Sequence, residues 1–438
     1  MAVLRIIPSS DPSLADALQR EFVVPDEVCL AVADILTAVR ERGDRALAEF
    51  TARFDGVELA PEEGFRVSAA EVKAAYRRVE QEFLDALRHA KERIAAFHRR
   101  QLPASWFETS AEGIVGGQLV RPLDRVGIYV PGGRATYPSS VLMNALPAAV
   151  AGVREIAMVT PPARDGSVNP YTLVAAAEAG ITEIYKAGGA QAVAALAFGT
   201  ESIRRVDKIT GPGNIYVTVA KQQVFGLVGI DMLAGPSEVV IVADGDADPA
   251  AAAADLLAQA EHDVLARAVL ITPSWELAGA VREEVARQLG DHRERRGILE
   301  KALADGGLII VTRDLEEAVG LANRYAPEHL ELMVGEPLAW LGRVRHAGAV
   351  FLGGYTPVAL GDYAAGPNHV LPTGGTARFT SALGVDAFLK RINVLSCDRD
   401  GFGHLAPTVA VLAEVEGLPA HAAAVLVRGA RGGKEGRE

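Results

Sequence analysis

A glutamate and a histidine stand side by side near the middle of the sequence, and both side chains can move protons. Glu328 and His329 follow Pro327 in the stretch YAPEHLEL, at the edge of an apolar run. An imidazole, with a reference pKa of about 6.5, suits a base that is used repeatedly, and a carboxylate suits the activation of water. A solvated loop would also explain the pair, so the rest of the sequence has to decide between the two interpretations.

A second pair has residue types that bind transition metals. Gln259 and His262 are three residues apart on a predicted helix, so their side chains share one face. Imidazole suits Zn²⁺, and an amide oxygen can be a further ligand. A glutamine ligand is unusual and a lone helical histidine is more often structural, so the pair alone is weak evidence for a metal site.

Two later stretches contain further candidate ligands. GDYAAGPNHVLPTGGTAR, at 361–378, carries Asp362 and His369, and a long irregular segment of this kind is often functional. AEVEGLPAHAAAV, at 413–425, carries Glu416 and His421. Sequence spacing leaves open whether these side chains meet the helical pair in space.

Three glycine-containing loops follow predicted strands. They are PGGRATYP at 131–138, AGGAQA at 187–192 and TGPGNIY at 210–216. Open parallel sheets bind ligands beyond the carboxyl ends of their strands, and glycine lets the backbone approach a phosphate closely. A dinucleotide therefore fits, but the GxGxxG fingerprint is absent, and the nearest match places Tyr216 at the last glycine. Alone, such loops are common to many α/β proteins.

Composition narrows the class of protein. The 438 residues are 49% hydrophobic and 23% charged, which is typical of a soluble globular chain of two or three domains. The net charge of −12, without a long basic run, disfavours nucleic acid and anionic membranes as partners. We expect no signal peptide and no membrane-spanning helix. Cys29 and Cys397 cannot build a disulfide framework, which favours a reducing cytoplasm.

The hydrophobic pattern predicts an α/β protein. Amphipathic helices fill the first hundred residues, and short strands alternate with helices from Val126 onward. A second alternating set begins at EVVIVAD, so we expect two Rossmann-like doubly wound domains with small helical N- and C-terminal extensions. The final stretch, RGARGGKEGRE, is predicted to lack fixed structure.

The chain closely resembles one family, the histidinol dehydrogenases, over roughly residues 25 to 428. Seven stretches carry the resemblance, in order along the chain: VGIYVPGGRATYPSSVLMNALPAAVAGV, TGPGNIYVTVAK, IDMLAGPSEVVIVAD, AQAEHD, YAPEHLEL, GDYAAGPNHVLPTGGTAR and EGLPAHAAAV. The family is zinc-dependent, NAD-linked and homodimeric, and its Rossmann-like domains lack the usual dinucleotide fingerprint.

The resemblance also implies a division of the chain. Residues 1–24 would form an N-terminal extension. Residues 25–129 and 237–383 would form the Rossmann-like domain with the metal and acid–base residues. Residues 130–236 would form the second domain with the NAD loops, and 384–438 a C-terminal dimerisation extension.

Functional residues are implied motif by motif. Glu328 and His329 would be the acid–base pair, and His369 would have a structural role. The zinc ligands would be Gln259, His262, Asp362 and His421. NAD would contact Tyr129, Gln191 and Asn214. Substrate would contact Ser237, Gln259, His262, His329, Asp362, Glu416 and His421. The C-terminal extension would reach the other subunit, so Glu416 and His421 would complete a neighbour's site.

The implied reaction oxidises L-histidinol to L-histidine through L-histidinaldehyde with two NAD⁺, the last step of histidine biosynthesis. The cofactor carries the hydride, so the protein must bind, orient and transfer protons. His329 would serve as the base and Glu328 would activate the water that hydrates the aldehyde. Histidinol has an imidazole and an amine, so we expect zinc to hold the substrate through its nitrogens.

Three other readings compete with this one. The first is a zinc dehydrogenase on the same scaffold that oxidises another small polyol or a sulfonated alcohol, but an anionic substrate would call for Arg or Lys where Glu416 and His421 stand. The second, a zinc hydrolase, would leave the three glycine loops without a ligand. The third, a non-catalytic binding protein, would have little use for the acid–base pair.

Overall fold

The structure, a computed structural model, describes residues 4–20, 24–60, 65–132, 136–291 and 293–431. Part of the loop PGGRATYP, residues 133–135, therefore lies outside the described residues. The same holds for residues 432–438 of the final stretch predicted to lack fixed structure. The remainder of that stretch, up to residue 431, is helical.

Fourteen strands are present in the described residues. In chain order they are β1 (Arg5–Pro8), β2 (Trp106–Thr109), β3 (Ile114–Pro122), β4 (Arg125–Tyr129), β5 (Glu155–Thr160), β6 (Glu183–Lys186), β7 (Lys208–Thr210), β8 (Gly229–Ile230), β9 (Glu238–Ala243), β10 (Arg267–Thr272), β11 (Gly307–Val311), β12 (His329–Met333), β13 (Ala349–Leu352) and β14 (Leu389–Cys397).

Seventeen α-helices are present in the same residues. They are α1 (Leu14–Ala17), α2 (Asp26–Arg42), α3 (Asp44–Asp55), α4 (Ala69–Ala75), α5 (Gln81–Arg99), α6 (Pro138–Ala151), α7 (Pro170–Glu178), α8 (Gly189–Phe198), α9 (Ile215–Val224), α10 (Pro249–Ala260), α11 (Trp275–Gln288), α12 (Arg296–Gly306), α13 (Leu315–Tyr325), α14 (Pro337–Leu341), α15 (Val358–Tyr363), α16 (Arg399–Val415) and α17 (Pro419–Arg431). Short 3₁₀ helices span Thr376–Arg378 and Val385–Phe388.

A six-stranded parallel sheet has the order β1-β11-β10-β9-β12-β13. Its central strand β9, with the sequence EVVIVA, is buried along its whole length, as expected for a strand covered on both faces. Helices α10, α11 and α12 pack on one face, and α13 packs on the other. The strand order reverses at β9, between β10 and β12.

A five-stranded parallel sheet has the order β6-β5-β4-β7-β8. The order reverses between β4 and β7, because β5 and β6 extend the sheet to one side and β8 to the other. Helices α2, α3, α8 and α9 share its hydrophobic core. The expectation of two Rossmann-like α/β units is confirmed by these two sheets.

The expected domain boundaries differ from the structure in three places. Strand β4 and helices α2 and α3, expected in the metal-bearing domain, belong to the five-stranded sheet and its core. The N-terminal extension, expected to be helical, contributes β1, which pairs with β11. These regions read as generic amphipathic or short apolar segments, and local periodicity does not say which sheet they will pack against.

Residues 102–122 and 389–438 form a separate compact unit; the other unit comprises residues 1–101 and 123–388. In the smaller unit, β14 pairs antiparallel with β3 over nine residue pairs, and β2 pairs with β3 on its other edge. Helices α16 and α17 pack on each other. The C-terminal extension, expected to be helical, thus also contains the strand β14. It forms one compact unit with residues 102–122, which lie much earlier in the chain.

Across the part of the chain that the structure describes, none of the helices combines the length and the apolar character needed to cross a membrane.

Candidate active site

A tight turn delivers the predicted acid–base pair to the head of β12. Helix α13 ends at Tyr325, and Ala326 adopts the left-handed conformation with φ of 52°. Among the described residues it is the only non-glycine with positive φ, a conformation that costs an alanine roughly 1–2 kcal/mol. Pro327 follows, then Glu328, and β12 begins at His329. The backbone thus accepts local strain where the two side chains must be placed.

Glu328 is buried and held by its neighbours. Its Oε2 accepts a hydrogen bond of 2.9 Å from the backbone N–H of Glu238, and its carboxyl is also hydrogen bonded to the side chain of Ser237. Burial raises the pKa of Glu328 well above its usual range, and the nearby charges of Glu238 and Asp362 raise it further. Such a carboxyl can hold a proton at a pH where an exposed one cannot.

His329 is buried with one ring nitrogen engaged. Its Nδ1 lies 3.0 Å from the carbonyl oxygen of Glu238, which can only accept, so Nδ1 carries the proton. Nε2 is buried with no hydrogen-bond partner in the described part of the chain, and it lies 3.9 Å from Oδ1 of Asp362. Burial lowers the pKa of His329 to about 4. The imidazole is therefore neutral at neutral pH, with a free lone pair on Nε2.

Three of the four predicted metal ligands come from the same unit as the acid–base pair. Gln259 lies in the last turn of α10, is 3% exposed, and its Nε2 has no partner among the described residues. His262 follows just after that helix, and its charge acts on the imidazole of His329. Asp362 lies in α15, where burial raises its pKa to about 7. Burial makes this carboxylate costly to ionise, so a bound cation would stabilise its charged form.

These donors suit zinc without forming a complete site. In the described ranges no three His, Cys, Asp or Glu side chains form a group that could hold a metal ion. The imidazole of His262, the carboxylate of Asp362 and the amide oxygen of Gln259 are donor types that Zn²⁺ accepts, so these residues fit zinc by their chemistry.

The fourth predicted ligand lies in the other compact unit. Glu416 is the C-terminal cap of α16, and His421 lies in the first turn of α17; both are exposed. The structure therefore places these two residues in a unit separate from the one that holds Ser237, Gln259, His262 and Asp362.

His369 has both ring nitrogens near partners. Nδ1 lies 2.8 Å from the carbonyl oxygen of Asp362, and Nε2 lies 3.4 Å from Oγ of Ser140 in α6. The neighbouring Asn368 donates to the carbonyl oxygen of Met143 in the same helix, at 2.7 Å. The segment at 361–378 thus joins Asp362, a predicted metal ligand, to a helix of the five-stranded sheet, which fits a structural role for His369.

The predicted NAD contacts lie at the carboxyl edge of the five-stranded sheet. Tyr129 ends β4, Gln191 is in the first turn of α8 after β6, and Asn214 caps α9 after β7. The hydroxyl of Tyr129 accepts a hydrogen bond of 3.0 Å from the backbone N–H of Gly189. Gln191 is 1% exposed, and neither its Oε1 nor its Nε2 has a partner in the described residues. Unsatisfied buried amides are costly, so a ligand here would be favoured.

One glycine makes this edge possible. Gly211, at the start of the TGPGNIY loop, has φ of +112°, and a Cβ there would lie 2.1 Å from the carbonyl oxygen of Tyr129. Lys221 donates to the carbonyl oxygen of Gly211 at 3.0 Å, and the backbone N–H of Gly211 donates to Oδ2 of Asp231 at 2.8 Å. Lys221 and Asp231 also form a buried ion pair. The loop is therefore fixed from both sides beside the point where the strand order reverses.

The acid–base and metal residues occupy the opposite kind of sheet edge. Ser237 and Glu328 precede β9 and β12, and the end of α10 lies beside the start of β10. All belong to the amino edge of the six-stranded sheet. The predicted NAD contacts therefore lie at a carboxyl edge, where parallel sheets usually bind ligands, whereas the predicted acid–base and metal residues lie at an amino edge.

Two residues that support the pair were not expected from the sequence. Glu238, 2% exposed, contacts both members of the pair through its backbone. Arg20 donates to Oε1 of Glu238 at 2.6 Å. The charged residue at the head of the apolar run EVVIVA is a usable signal for Glu238, whereas nothing near Arg20 in the sequence points to the site.

Comparison with known proteins decides the family. The profile of the histidinol dehydrogenases matches residues 18–429. The chain belongs to the histidinol dehydrogenase family. It is 59% identical over 401 residues to a histidinol dehydrogenase of Moorella thermoacetica, an alignment that covers 92% of this chain and 94% of the relative. It is 54% identical over 410 residues to that of Aquifex aeolicus, covering 94% of each. The crystal structure of histidinol dehydrogenase from Elizabethkingia anophelis superposes with a TM-score of 0.93 at 37% identity, covering 98% of both chains.

Proposed function

We propose that this protein oxidises L-histidinol to L-histidine through L-histidinaldehyde, using two NAD⁺ and zinc, as the last step of histidine biosynthesis. Membership of the family supports the substrate. The observation that carries the chemistry is the pair at the head of β12: a neutral imidazole with a free Nε2 beside a carboxyl of raised pKa. These are two proton-transfer groups with different properties.

The first oxidation requires a base for the hydroxyl proton. His329 accepts that proton on Nε2 while the carbon gives up its hydride, and Nδ1–H stays bonded to the carbonyl oxygen of Glu238. That contact holds the tautomer and stabilises the imidazolium that forms. NAD⁺, bound near Tyr129, Gln191 and Asn214, would accept the hydride.

Hydration and the second oxidation follow on the same substrate. Glu328, in its ionised form, removes a proton from water as the water oxygen adds to the aldehyde carbon. The imidazolium of His329 gives its proton to the aldehyde oxygen, which completes the hydrate and restores a neutral His329, and Glu328 releases its proton to solvent. His329 then accepts a hydroxyl proton of the hydrate as the second hydride leaves, which gives the acid. Each oriented acid–base group contributes typically ~10²–10⁴-fold.

Gln259, His262 and Asp362 would hold zinc, with His421 as the fourth ligand. Zinc, when bound, would hold the imidazole and amine nitrogens of histidinol and so orient its hydroxymethyl group. Ser237 and Glu416 would contact the substrate. Because Glu416 and His421 belong to the smaller unit and are exposed, a neighbouring copy of the chain can use them.

We also propose a homodimer with shared sites, built on the smaller unit. That unit exposes large apolar side chains that water solvates poorly, among them Trp106, Phe107, Leu395, Leu412 and Val415. Such clusters commonly mark contact surfaces. A cytoplasmic location agrees with the two unpaired cysteines, and nucleic acids and membranes are not expected partners.

The deciding experiment counts NADH formed per histidinol consumed. We expect two NADH per histidinol, loss of turnover and weaker histidinol binding after chelation, and recovery when zinc is restored. One NADH would show that the reaction stops at the aldehyde and would refute the assignment of Glu328. No NADH would refute histidinol as the substrate and would direct the search to other small alcohols.

A further inference from the structure

A single backbone residue contacts both members of the acid–base pair. The N–H of Glu238 donates to Oε2 of Glu328 at 2.9 Å, and its carbonyl oxygen accepts from Nδ1 of His329 at 3.0 Å. The position of this one peptide segment, at the head of β9, therefore determines where both proton-transfer groups lie.

The side chain of Glu238 is anchored in turn. Its Oε1 accepts from Nη1 of Arg20 at 2.6 Å and from the backbone N–H of Gly374 at 3.2 Å. The side chains of Arg20 and Glu238 are only 11% and 3% exposed, so this ion pair is largely shielded from water. Breaking a shielded pair leaves one charge without compensation, which is strongly unfavourable.

Arg20 also fixes the other end of the turn that carries the pair. Its Nη2 donates to the carbonyl oxygen of Tyr325, the last residue of α13. Its guanidinium carbon lies 3.7 Å above the centre of the Tyr325 ring. One guanidinium thus joins the helix before the turn to the strand beside it, and the strained residue Ala326 lies between.

We propose that Arg20 and Glu238 are positioning residues for Glu328 and His329, with Arg20 holding the turn at 325–329 in register with β9. The inference rests on the proposed function, because it assigns the pair to proton transfer. Neither Arg20 nor Glu238 needs to touch the substrate. Their effect should appear in the chemical steps, where a misplacement of about 1 Å can cost ~10²-fold.

The charges around Glu328 also predict the direction in which its pKa would move. Glu328 is faced by the carboxylates of Glu238 and Asp362 and by the imidazole of His329. Arg20 offsets the charge of Glu238. Removing the charge of Glu238 should therefore lower the pKa of Glu328.

The experiment compares Arg20→Met, Arg20→Lys and Glu238→Gln in the zinc-loaded full-length protein. Arg343→Met is the matched control, because Arg343 likewise pairs with one carboxylate, Glu316, and lies over one aromatic ring. The measurements are zinc content, thermal unfolding, kcat and KM for histidinol, and the pH dependence of kcat.

We expect Arg20→Met to lower kcat by about 30–100-fold with KM within about 3-fold and zinc retained. Arg20→Lys should recover part of the loss, since an ammonium can pair with Glu238 but lacks the planar fork. The acidic limb of the pH profile should move to lower pH in Glu238→Gln, because this change removes a negative charge beside Glu328. Arg343→Met should match the wild type.

The inference is overturned if Arg20→Met keeps kcat within about 3-fold of the wild type, or if any loss matches the loss of folded, zinc-loaded protein. Should Arg20→Met fail to fold, the kcat of Arg20→Lys and the limb shift of Glu238→Gln decide; a kcat within about 3-fold of the wild type in the first and an unshifted limb in the second would overturn the inference. A wild type that is inactive on histidinol would refute the proposed function instead, so the two failures are distinguishable.

Discussion

Neighbouring residues acquire different acid–base properties here because burial acts on them in opposite directions. Burial disfavours the charged form of each, which raises the pKa of Glu328 and lowers that of His329. The imidazole is consequently uncharged at neutral pH and can accept a proton. The carboxyl loses its proton at a higher pH than an exposed carboxyl does. Adjacent positions on a chain thereby supply two groups suited to two kinds of proton transfer.

Replacing Glu328 by Gln should separate the two oxidations. Gln has similar size but cannot accept a proton from water, so we expect histidinaldehyde oxidation to fall by ~10²–10⁴-fold and histidinol oxidation to fall by less than about 10-fold. Single-turnover NADH formation from each substrate measures this, with the exposed Glu336→Gln as control. Equal losses in both half-reactions would contradict separate roles for the pair.

The acidic limb of the wild-type profile has a predicted direction. Glu328 must be ionised to activate water, and its pKa lies above the ordinary carboxyl range. Oxidation of histidinaldehyde should therefore decline as pH falls, beginning at a higher pH than an exposed glutamate would give. In Glu328→Gln this limb should be absent from the residual aldehyde oxidation, and its persistence would assign it to another group.

At the scale of elements, the sequence predicted the parts better than their arrangement. Runs such as EVVIVA and the loop TGPGNIY identified the strands and the carboxyl edge that we propose for NAD, because their periodicity and glycines are local properties. The sequence could not show that Glu328 lies at the amino edge of the six-stranded sheet. That position depends on how β9, β12 and the end of α10 come together in the fold. Arg20 escaped notice for the same reason: its partners lie 218 and 305 residues away.

A buried carboxyl links three of the elements that carry site residues. Glu331, on β12, is 1% exposed. Its Oε1 accepts a hydrogen bond of 2.9 Å from the backbone N–H of Val358, which is the first residue of α15. Burial raises the pKa of Glu331 well above its usual range, and the nearby charge of Asp255 on α10 raises it further. Folded Glu331 therefore binds a proton more tightly than unfolded Glu331 does, so its protonation is linked to folding.

This linkage predicts how stability varies with pH. Because the folded-state pKa of Glu331 is raised, its contribution is complete below the unfolded pKa of about 4.3 and is lost as pH rises through the folded pKa. Gln cannot ionise, so Glu331→Gln should raise Tm at pH 8.5 by roughly 2–4 °C relative to the wild type and have little effect at pH 5. The exposed Glu300→Gln should behave like the wild type at both, and a uniform shift would point to packing instead.

At the scale of the whole molecule, the residues proposed for function come from distant parts of the chain. The loops proposed for NAD and the proposed acid–base pair belong to different sheets, and Glu416 and His421 belong to a separate compact unit. The family resemblance supplied the residue roles and the sheets confirmed the fold. The expected domain boundaries differ from the structure because nothing in the local sequence of α2 and α3 indicates which sheet they pack against.

The cysteines test whether aldehyde oxidation proceeds through a covalent thiohemiacetal. Cys29 lies in α2 and packs on the core of the five-stranded sheet, and Cys397 ends β14 in the smaller unit. The double replacement Cys29→Ser with Cys397→Ser should keep both half-reactions within a few-fold of the wild type. Loss of the second oxidation alone, measured with histidinaldehyde, would show that a thiol is the nucleophile.

The pairing of β1 with β11 has a consequence for synthesis on the ribosome. Arg5 aligns with Leu308, so the first strand made waits for a partner made about three hundred residues later, roughly 15–60 s at usual elongation rates. Arg20 waits longer still, for Tyr325. The five-stranded sheet, whose strands all lie between residues 125 and 230, can close while that happens. The sheet whose loops are proposed to bind NAD can thus form before β12, which carries the proposed acid–base pair, has been synthesised.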